Sequence, residues 1–237
     1  MSKKFEIEKV VALEATLEQV WRAIATPEGQ AAWSPDPYAS QEGMQVESDE
    51  PARLAVRTPE AENAAFHAFE YLIEAHDGGT TTLRFVHSGY LGDDWDADFD
   101  YGELTGYGWD MYLHTLAQYC AHFADRPAAF VVAEGPPTSA TEGAWASLER
   151  ALGVDGPVEI GQHLTLHPDG LPKLDGVVDY IQPGFNFIGL RTANGLYRFH
   201  DNSVMGMPIA IGHYIYEDVD RERTEQAWKD WLDRVFA

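Results

Sequence analysis

A run of strands that ends in one long amphipathic helix constrains the fold of this chain most strongly. Residues 85–123 read as a strand, an acidic loop rich in aromatic residues, and then a helix. Within that helix the apolar residues recur at helical spacing: Trp109, Tyr112, Leu113, Leu116, Cys120 and Phe123. A sheet with one apolar face must bury it, and one amphipathic helix is the simplest cover.

The two strands before this helix predict a hairpin of defined register. "FHAFEYLIEA" and "TTTLRFVHS" flank "HDGG", a strong turn signal. A three-residue loop, Asp77–Gly79, puts both apolar sets on the same side of the sheet, whereas a two-residue loop would oppose them. The shared face then carries His67, Phe69, Tyr71, Ile73, Leu83, Phe85 and His87. The sequence therefore predicts two histidines close together on an otherwise apolar face.

The order of elements occurs twice along the chain. In the first half, a strand that begins at Phe5 precedes two short helices, with Thr16 and Gln19 as a capping box and Thr26 as the second cap. In the second half, "AAFVVAEG" is a strand and a helix follows a capping box at Ser139 and Glu142. Five antiparallel strand candidates come next, and a closing helix is expected near residues 220–236. Residue identity between the halves is negligible, so the repeat is one of pattern.

The first half resembles the START-like, or SRPBCC, superfamily, and within it the proteins similar to the activator of heat-shock-protein-ninety ATPase. The residues that carry the resemblance are "FEIEKVVALEATLEQVWRAIATPEGQAAW", "GGTTTLRFVHSGY" and "GYGWDMYLHTLAQYCAHF". The resemblance implies a helix-grip fold, in which a curved antiparallel sheet wraps a long C-terminal helix and often leaves a hydrophobic cavity. The second half is similar to degenerate C-terminal repeats of some family members.

We therefore expect an α+β protein built from two such units in tandem. Residues 1–125 should form a START-like helix-grip domain, and residues 126–237 a second, reduced helix-grip-like domain. A curved sheet and one helix leave a concave gap, which is where small ligands bind.

The charge excludes several classes of partner. The formal net charge is −23, from 39 acidic and 16 basic residues. Nucleic-acid binders need a basic surface because counterion release supplies much of their affinity. An acidic membrane surface would also repel this protein. We expect neither nucleic acid nor membrane as a partner, and a protein partner stays open.

The cysteine content and the N-terminal segment predict a cytoplasmic protein. Cys120 is the only cysteine, so no intrachain disulfide can form. The segment "MSKKFEIEKV" has lysines but no apolar core behind them, which is not typical of a secretory signal. The apolar runs are also too short to span a bilayer.

No motif predicts a metal, a cofactor or a catalytic residue. The aspartates at 94, 96, 98 and 100 alternate as in a calcium loop, but the glycine and the final glutamate of such a loop are missing. Neither a zinc-binding HExxH nor a cysteine pair is present. Nucleophile elbows, phosphate loops and dinucleotide fingerprints are absent too. We expect no cofactor and no metal.

The strand parity and the helix periodicity predict one ligand cavity in the first half. On the sheet side we expect His67, Phe69, Tyr71, Phe85 and His87. On the helix side we expect Trp109, Tyr112 and Leu113, with Trp33, Trp95 and Phe99 at the mouth. Aromatic walls favour a flat or extended apolar or amphipathic ligand, and the two imidazoles could orient one polar end of it. The histidines could equally be satisfied core residues or, given a partner that tunes the pKa, acid–base groups.

Three functions remain open from the sequence. The first is non-enzymatic binding of a small hydrophobic or amphipathic molecule. The resemblance implies the other two: a protein-interaction role like that of a co-chaperone, and an enzyme of the polyketide-cyclase or aromatase type.

Overall fold

The computed structural model describes residues 3–37, 42–96, 100–182 and 184–237. The chain divides into two compact units, Met1–Arg126 and Pro127–Ala237. Each unit has its own antiparallel sheet and a closing helix. That either unit folds as an independent domain remains a prediction.

The first unit follows the order expected from its sequence. Its described elements are β1 (Lys4–Leu13), α1 (Leu17–Ala25), α2 (Pro27–Ala31), β2 (Gln45–Asp49), β3 (Arg53–Arg57), β4 (Phe66–His76), β5 (Thr80–Tyr90) and α3 (Tyr101–His122). The strands lie in the order β1-β5-β4-β3-β2, so the first strand pairs with the last. The α3 helix lies against β1.

Local sequence signals explain how the first two helices begin. The Thr16 hydroxyl accepts the backbone N–H of Gln19 at 3.3 Å, and the Gln19 side chain accepts the backbone N–H of Thr16 at 2.9 Å. Thr26 caps α2 in the same way, because its hydroxyl accepts the backbone N–H of Gly29 at 3.0 Å. The two predicted caps are confirmed, and they satisfy backbone donors that have no partner inside the helix.

The predicted register of the central hairpin is also confirmed. The turn between β4 and β5 has three residues, and His76 pairs with Thr80. Phe69 therefore lies opposite His87, and Tyr71 lies opposite Phe85. A slip of one residue would have turned these side chains to the other face of the sheet.

The second unit repeats the topology of the first. Its elements are β6 (Ala129–Glu134), α4 (Ala144–Leu152), β7 (His163–Leu166), β8 (Leu174–Tyr180), β9 (Phe187–Thr192), β10 (Gly195–His200), β11 (Ala210–Ile215) and α5 (Arg221–Val235). The strand order is β6-β11-β10-β9-β8-β7, and α5 lies against β6. The α+β helix-grip class with two such units in tandem is confirmed. Within the described residues the second sheet has six strands and the first has five, so the second unit is reduced in its helices only.

The predicted start of the α4 helix is wrong by about one turn. The helix begins at Ala144, and Gly143 precedes it without a side-chain cap. Ser139 instead ends a short 3-10 turn, where its hydroxyl donates to the carbonyl of Pro136 and accepts the backbone N–H of Ile209. The hydroxyl bonds to backbone that is distant in sequence, just before β11 begins, and a local capping pattern does not indicate such a partner.

No helix of the described chain has the length and apolar character that a membrane crossing requires.

Candidate ligand cavity in the first unit

The first unit contains a cavity of about 540 Å³. That volume lies within the range of roughly 300–1,000 Å³ found for small-molecule sites. The sheet wall is formed by His67, Phe69, Tyr71 and His87. The α3 wall is formed by Tyr101, Thr105, Gly108, Trp109 and Tyr112. A third wall comes from the end of α2 and the segment after it, chiefly Gln30, Trp33 and Asp36.

The cavity brings together most of the residues predicted for it. Those that line it are Trp33, His67, Phe69, Tyr71, His87, Trp109 and Tyr112. Phe85, Leu113 and Trp95 do not line it. Whether the lining residues bind a ligand stays a prediction.

Phe85 has the predicted strand parity but is sealed from the cavity. Its side chain is 0% exposed. The Trp109 ring lies against it at a centroid distance of 4.2 Å, and Tyr71 flanks it at 5.0 Å. The indole therefore forms the cavity wall, and Phe85 supports the indole from behind.

Leu113 belongs to a neighbouring stripe of the helix. The cavity face of α3 runs through Tyr101, Thr105, Gly108 and Tyr112, which are four, three and four residues apart. Leu113 lies one residue further round, about 100° away, and is 1% exposed in the packed core. Trp109, one turn earlier on the same stripe as Leu113, does line the cavity. The helical period predicted an apolar stripe correctly but did not distinguish the side that faces the cavity from the side that faces the closed core.

Of the two tryptophans predicted at the mouth, Trp33 is a buried wall residue and Trp95 lies beside a lining residue. Trp33 borders the cavity but is 1% exposed, and its indole N–H donates to the carbonyl of Ala23 at 2.9 Å. It is a fixed wall residue because a buried indole N–H needs an acceptor. Trp95 packs edge-on against the lining residue Tyr101, with the ring centroids 5.7 Å apart. Phe99 lies outside the described residues.

A hydrogen-bonded chain of three rings connects the α3 wall of the cavity to its sheet wall. The indole Nε1–H of Trp109 donates to Nδ1 of His87 at 2.9 Å. His87 Nε2 lies 3.0 Å from Nδ1 of His67. Phe69 stacks on His87 with a centroid distance of 4.5 Å, and Phe5 meets the same ring edge-on. The two histidines predicted to be neighbours are thus hydrogen-bonded to each other.

Burial keeps both imidazoles neutral. His87 is 3% exposed, and burial, together with the nearby His67, lowers the pKa of His87 to about 3. Burial also lowers the pKa of His67. Desolvation disfavours the charged form of a histidine, so the pair is uncharged at neutral pH.

The phenols of the cavity are neutral as well. Burial raises the pKa of Tyr71, and burial together with the charge of Asp36 raises the pKa of Tyr112. Among the described lining residues, Asp36 is the one acidic side chain, and lysine and arginine are absent. Apart from Asp36, the cavity is therefore lined by neutral side chains, many of them aromatic.

The described chain offers no cluster for a metal ion. No group of three or more His, Cys, Asp or Glu side chains lies close enough together in residues 3–37, 42–96, 100–182 and 184–237. Burial raises the pKa of the Cys120 thiol to about 12, with a smaller effect from Asp125, so this cysteine is an unreactive core residue.

The cavity also contains residues that the sequence reasoning missed. Tyr101, Thr105 and Gly108 continue the α3 face back to the start of the helix, and extending the period by two turns would have found them. Asp36 and Thr58 sit in segments that follow regular elements, where no periodic pattern indicates direction.

No protein-family model matches the chain, and no curated protein matches it. Several solved structures are similar. A START superfamily protein from Mycobacterium smegmatis has 10% identity and a TM-score of 0.41, covering 49% of this chain and 97% of that one. The Aha1 dimer from Colwellia psychrerythraea has 16% identity and a TM-score of 0.37, covering 49% and 96%. The di-domain ARO/CYC protein StfQ from the steffimycin biosynthetic pathway has 11% identity and a TM-score of 0.38, covering 90% and 85%.

These names agree with the START-like resemblance of the sequence motifs. Likenesses at such identities and TM-scores carry no argument about function, which has to come from the cavity itself.

Proposed function

We propose that the first unit binds a small, neutral, mostly apolar molecule in its cavity without acting on it chemically. The observation that carries the proposal is the cavity itself, about 540 Å³ bounded by aromatic side chains from a sheet and a helix. Apolar walls with a few placed polar groups are typical of small-molecule sites.

The charge of the protein favours a neutral ligand over an anionic one. The chain has a net charge of −23, and the described cavity wall contains Asp36 but neither lysine nor arginine. An anion would enter against the field of the whole protein and find no cationic partner inside.

The histidine pair favours binding over acid–base catalysis. A histidine with a pKa near 3 is a weak base and is uncharged at neutral pH, so it cannot serve as an imidazolium acid. His87 also uses both ring nitrogens, one toward Trp109 and one toward His67. The pair is suited to orienting a polar group, and an enzyme of the cyclase or aromatase type is the less favoured alternative.

Filling the cavity from α3 tests this proposal. Gly108 lines the cavity, and a Cβ added there meets no atom within 4 Å. We expect Gly108→Phe to weaken binding of the neutral dye Nile red at least about tenfold, because the ring takes the space of the ligand. Gly108→Ala is the matched control, since it makes the same backbone change with little added volume and should bind as the wild type does.

The titration is read from the fluorescence of the dye. Equal affinity of the Gly108→Phe variant and the wild type would exclude this cavity as the binding site. Failure of the wild type to bind Nile red and other neutral apolar probes would contradict the proposed function.

A further inference from the structure

We propose that the ligand of this cavity presents a neutral hydrogen-bond acceptor, such as a carbonyl oxygen, to Nε2–H of His67, and that Trp109 and His87 enforce that choice by fixing both histidine tautomers. The inference rests on the proposed function and names the ligand class for the same site.

The direction of the chain follows from its first member. An indole Nε1–H can only donate, so Nδ1 of His87 must accept and carries no proton. A neutral imidazole has one N–H, which for His87 is then on Nε2. That proton points along the 3.0 Å contact, so Nδ1 of His67 must also accept. The single proton of His67 is thereby placed on Nε2.

The far end of the chain is available to a ligand. Within the described residues, Nε2 of His67 has no hydrogen-bond partner, and it is not among the buried polar atoms that lack one. His67 is only half-buried and lines the cavity. The structure therefore offers one N–H donor of fixed direction in a mostly aromatic wall.

Reversing the chain would be costly. If a ligand donated to His67 Nε2, His67 would have to carry its own proton on Nδ1 and donate it to Nε2 of His87. His87 would then have to carry its proton on Nδ1. The indole N–H of Trp109 would then lose its acceptor, His87 Nδ1, at a partly buried position. Leaving a donor unsatisfied at a partly buried position is unfavourable, so donor ligands are selected against.

Three tricyclic probes of nearly equal shape separate the possibilities. Fluorenone presents a carbonyl acceptor, fluorene presents neither group, and carbazole presents an N–H donor. We expect fluorenone to bind the wild type about 3- to 10-fold more tightly than fluorene, as one net hydrogen bond would give. Carbazole should bind no more tightly than fluorene. Equilibrium dialysis at neutral pH measures all three dissociation constants.

Substitutions then assign the preference to individual rings. His67→Phe should remove the advantage of fluorenone while fluorene binding is retained. Trp109→Phe keeps an aromatic wall but removes the N–H that sets the direction, so the fluorenone preference should shrink and carbazole should gain. His163→Phe is the matched control: it makes the same change as His67→Phe at an exposed position of β7, outside the cavity, and should leave the fluorenone-to-fluorene ratio unchanged.

Imidazole ¹⁵N chemical shifts read the tautomers directly in the full-length protein. We expect Nε2–H forms for both His67 and His87 in the wild type, and a mixture in Trp109→Phe. Nδ1–H at either histidine of the wild type, or a carbazole preference, would overturn the inference while leaving the binding function intact. Equal binding of fluorenone and fluorene by the wild type would overturn it too. If the wild type bound none of the three probes, the proposed function would fall with it.

Discussion

The two units of this protein share a topology but use their inner faces differently. In each unit the first strand pairs with the last, and the closing helix lies against the first strand. The first unit encloses a cavity of about 540 Å³. The inner face of the second sheet belongs to one cluster of buried hydrophobic side chains, including Phe199, Trp228 and Trp231. The same arrangement of elements can thus be left hollow or be filled by its own side chains.

Both units place a histidine of the last strand against a tryptophan of the closing helix. In the first unit, Trp109 donates its N–H to Nδ1 of His87. In the second, Trp228 meets His213 edge-on with the ring centroids 4.6 Å apart. His213 Nδ1 accepts the backbone N–H of Arg198 at 3.1 Å, where the β10–β11 ladder is interrupted.

The two histidines differ in their hydrogen-bond partners and therefore in their roles. His213 is 0% exposed and its ring repairs a gap in the strand pairing, so it contributes to the fold. His87 passes its hydrogen bond to His67, a ring that lines the cavity. Position in the fold alone therefore does not determine the role of the residue, which depends on its hydrogen-bond partners.

The largest expected effect comes from truncating the filled core. Phe199 is 0% exposed between His213 and Trp228, so Phe199→Ala should lower the free energy of unfolding by about 3–5 kcal/mol. Phe69 borders open space on one side, so Phe69→Ala should cost only about 1–2 kcal/mol. Urea unfolding measures both losses, and equal losses would contradict the contrast between a filled and a hollow unit.

Acid should destabilise the protein through its buried histidines. The pKa of His87 is about 3 in the folded state and about 6.5 when unfolded, so below pH 6.5 the unfolded chain binds more protons. Stability from this group is complete above pH 6.5 and falls as the pH drops toward 3. From pH 7.5 to 5.0 the wild type should lose about 2 kcal/mol more than His87→Phe, which cannot titrate at this position.

The measurement is the free energy of unfolding of both proteins at the two pH values. His163→Gln, at an exposed position of β7, is the control substitution. An identical pH dependence of wild type and His87→Phe would show that His87 is not held neutral by the fold.

The last prediction concerns two glycines, one in each unit, where a single added Cβ meets different surroundings. Gly108→Ala adds a Cβ into open space within a helix and should stabilise by about 0.5–1 kcal/mol. Gly189→Ala places its Cβ 2.9 Å from Cβ of Tyr180 and 3.0 Å from the Arg198 guanidinium, and should destabilise by about 1–3 kcal/mol. Shifts of opposite sign in the melting temperature are expected, and shifts of the same sign would refute the predicted difference in local space.

Sequence reasoning located the cavity because strand parity is a strict two-residue rule. Once the loop length between β4 and β5 was chosen, Phe69, Tyr71 and His87 had to share one face. The prediction failed for Phe85 because parity gives the face of the sheet on which a side chain lies, but not whether another side chain covers it. The Trp109 ring covers Phe85.

The helix and the loops were harder to predict for different physical reasons. A helical stripe about 100° wide cannot tell a cavity from a closed core, which is why Leu113 was included. Tyr101 was missed because the period was not extended back to the start of α3. Asp36 reaches the site from an irregular segment, where direction depends on the packed structure rather than on a period.

The central claim is that an apolar ligand enters the first unit and not the second. Seven tryptophans give seven indole N–H reporters for NMR. Trp33 and Trp109 line the cavity, whereas Trp145, Trp228 and Trp231 lie in the core of the second unit. On titration with fluorenone, the account predicts that the indole signals of Trp33 and Trp109 shift and that those of Trp145, Trp228 and Trp231 stay in place. Two results would contradict this claim. One is that only the signals of Trp145, Trp228 and Trp231 shift, and the other is that neither Trp33 nor Trp109 shifts at saturation.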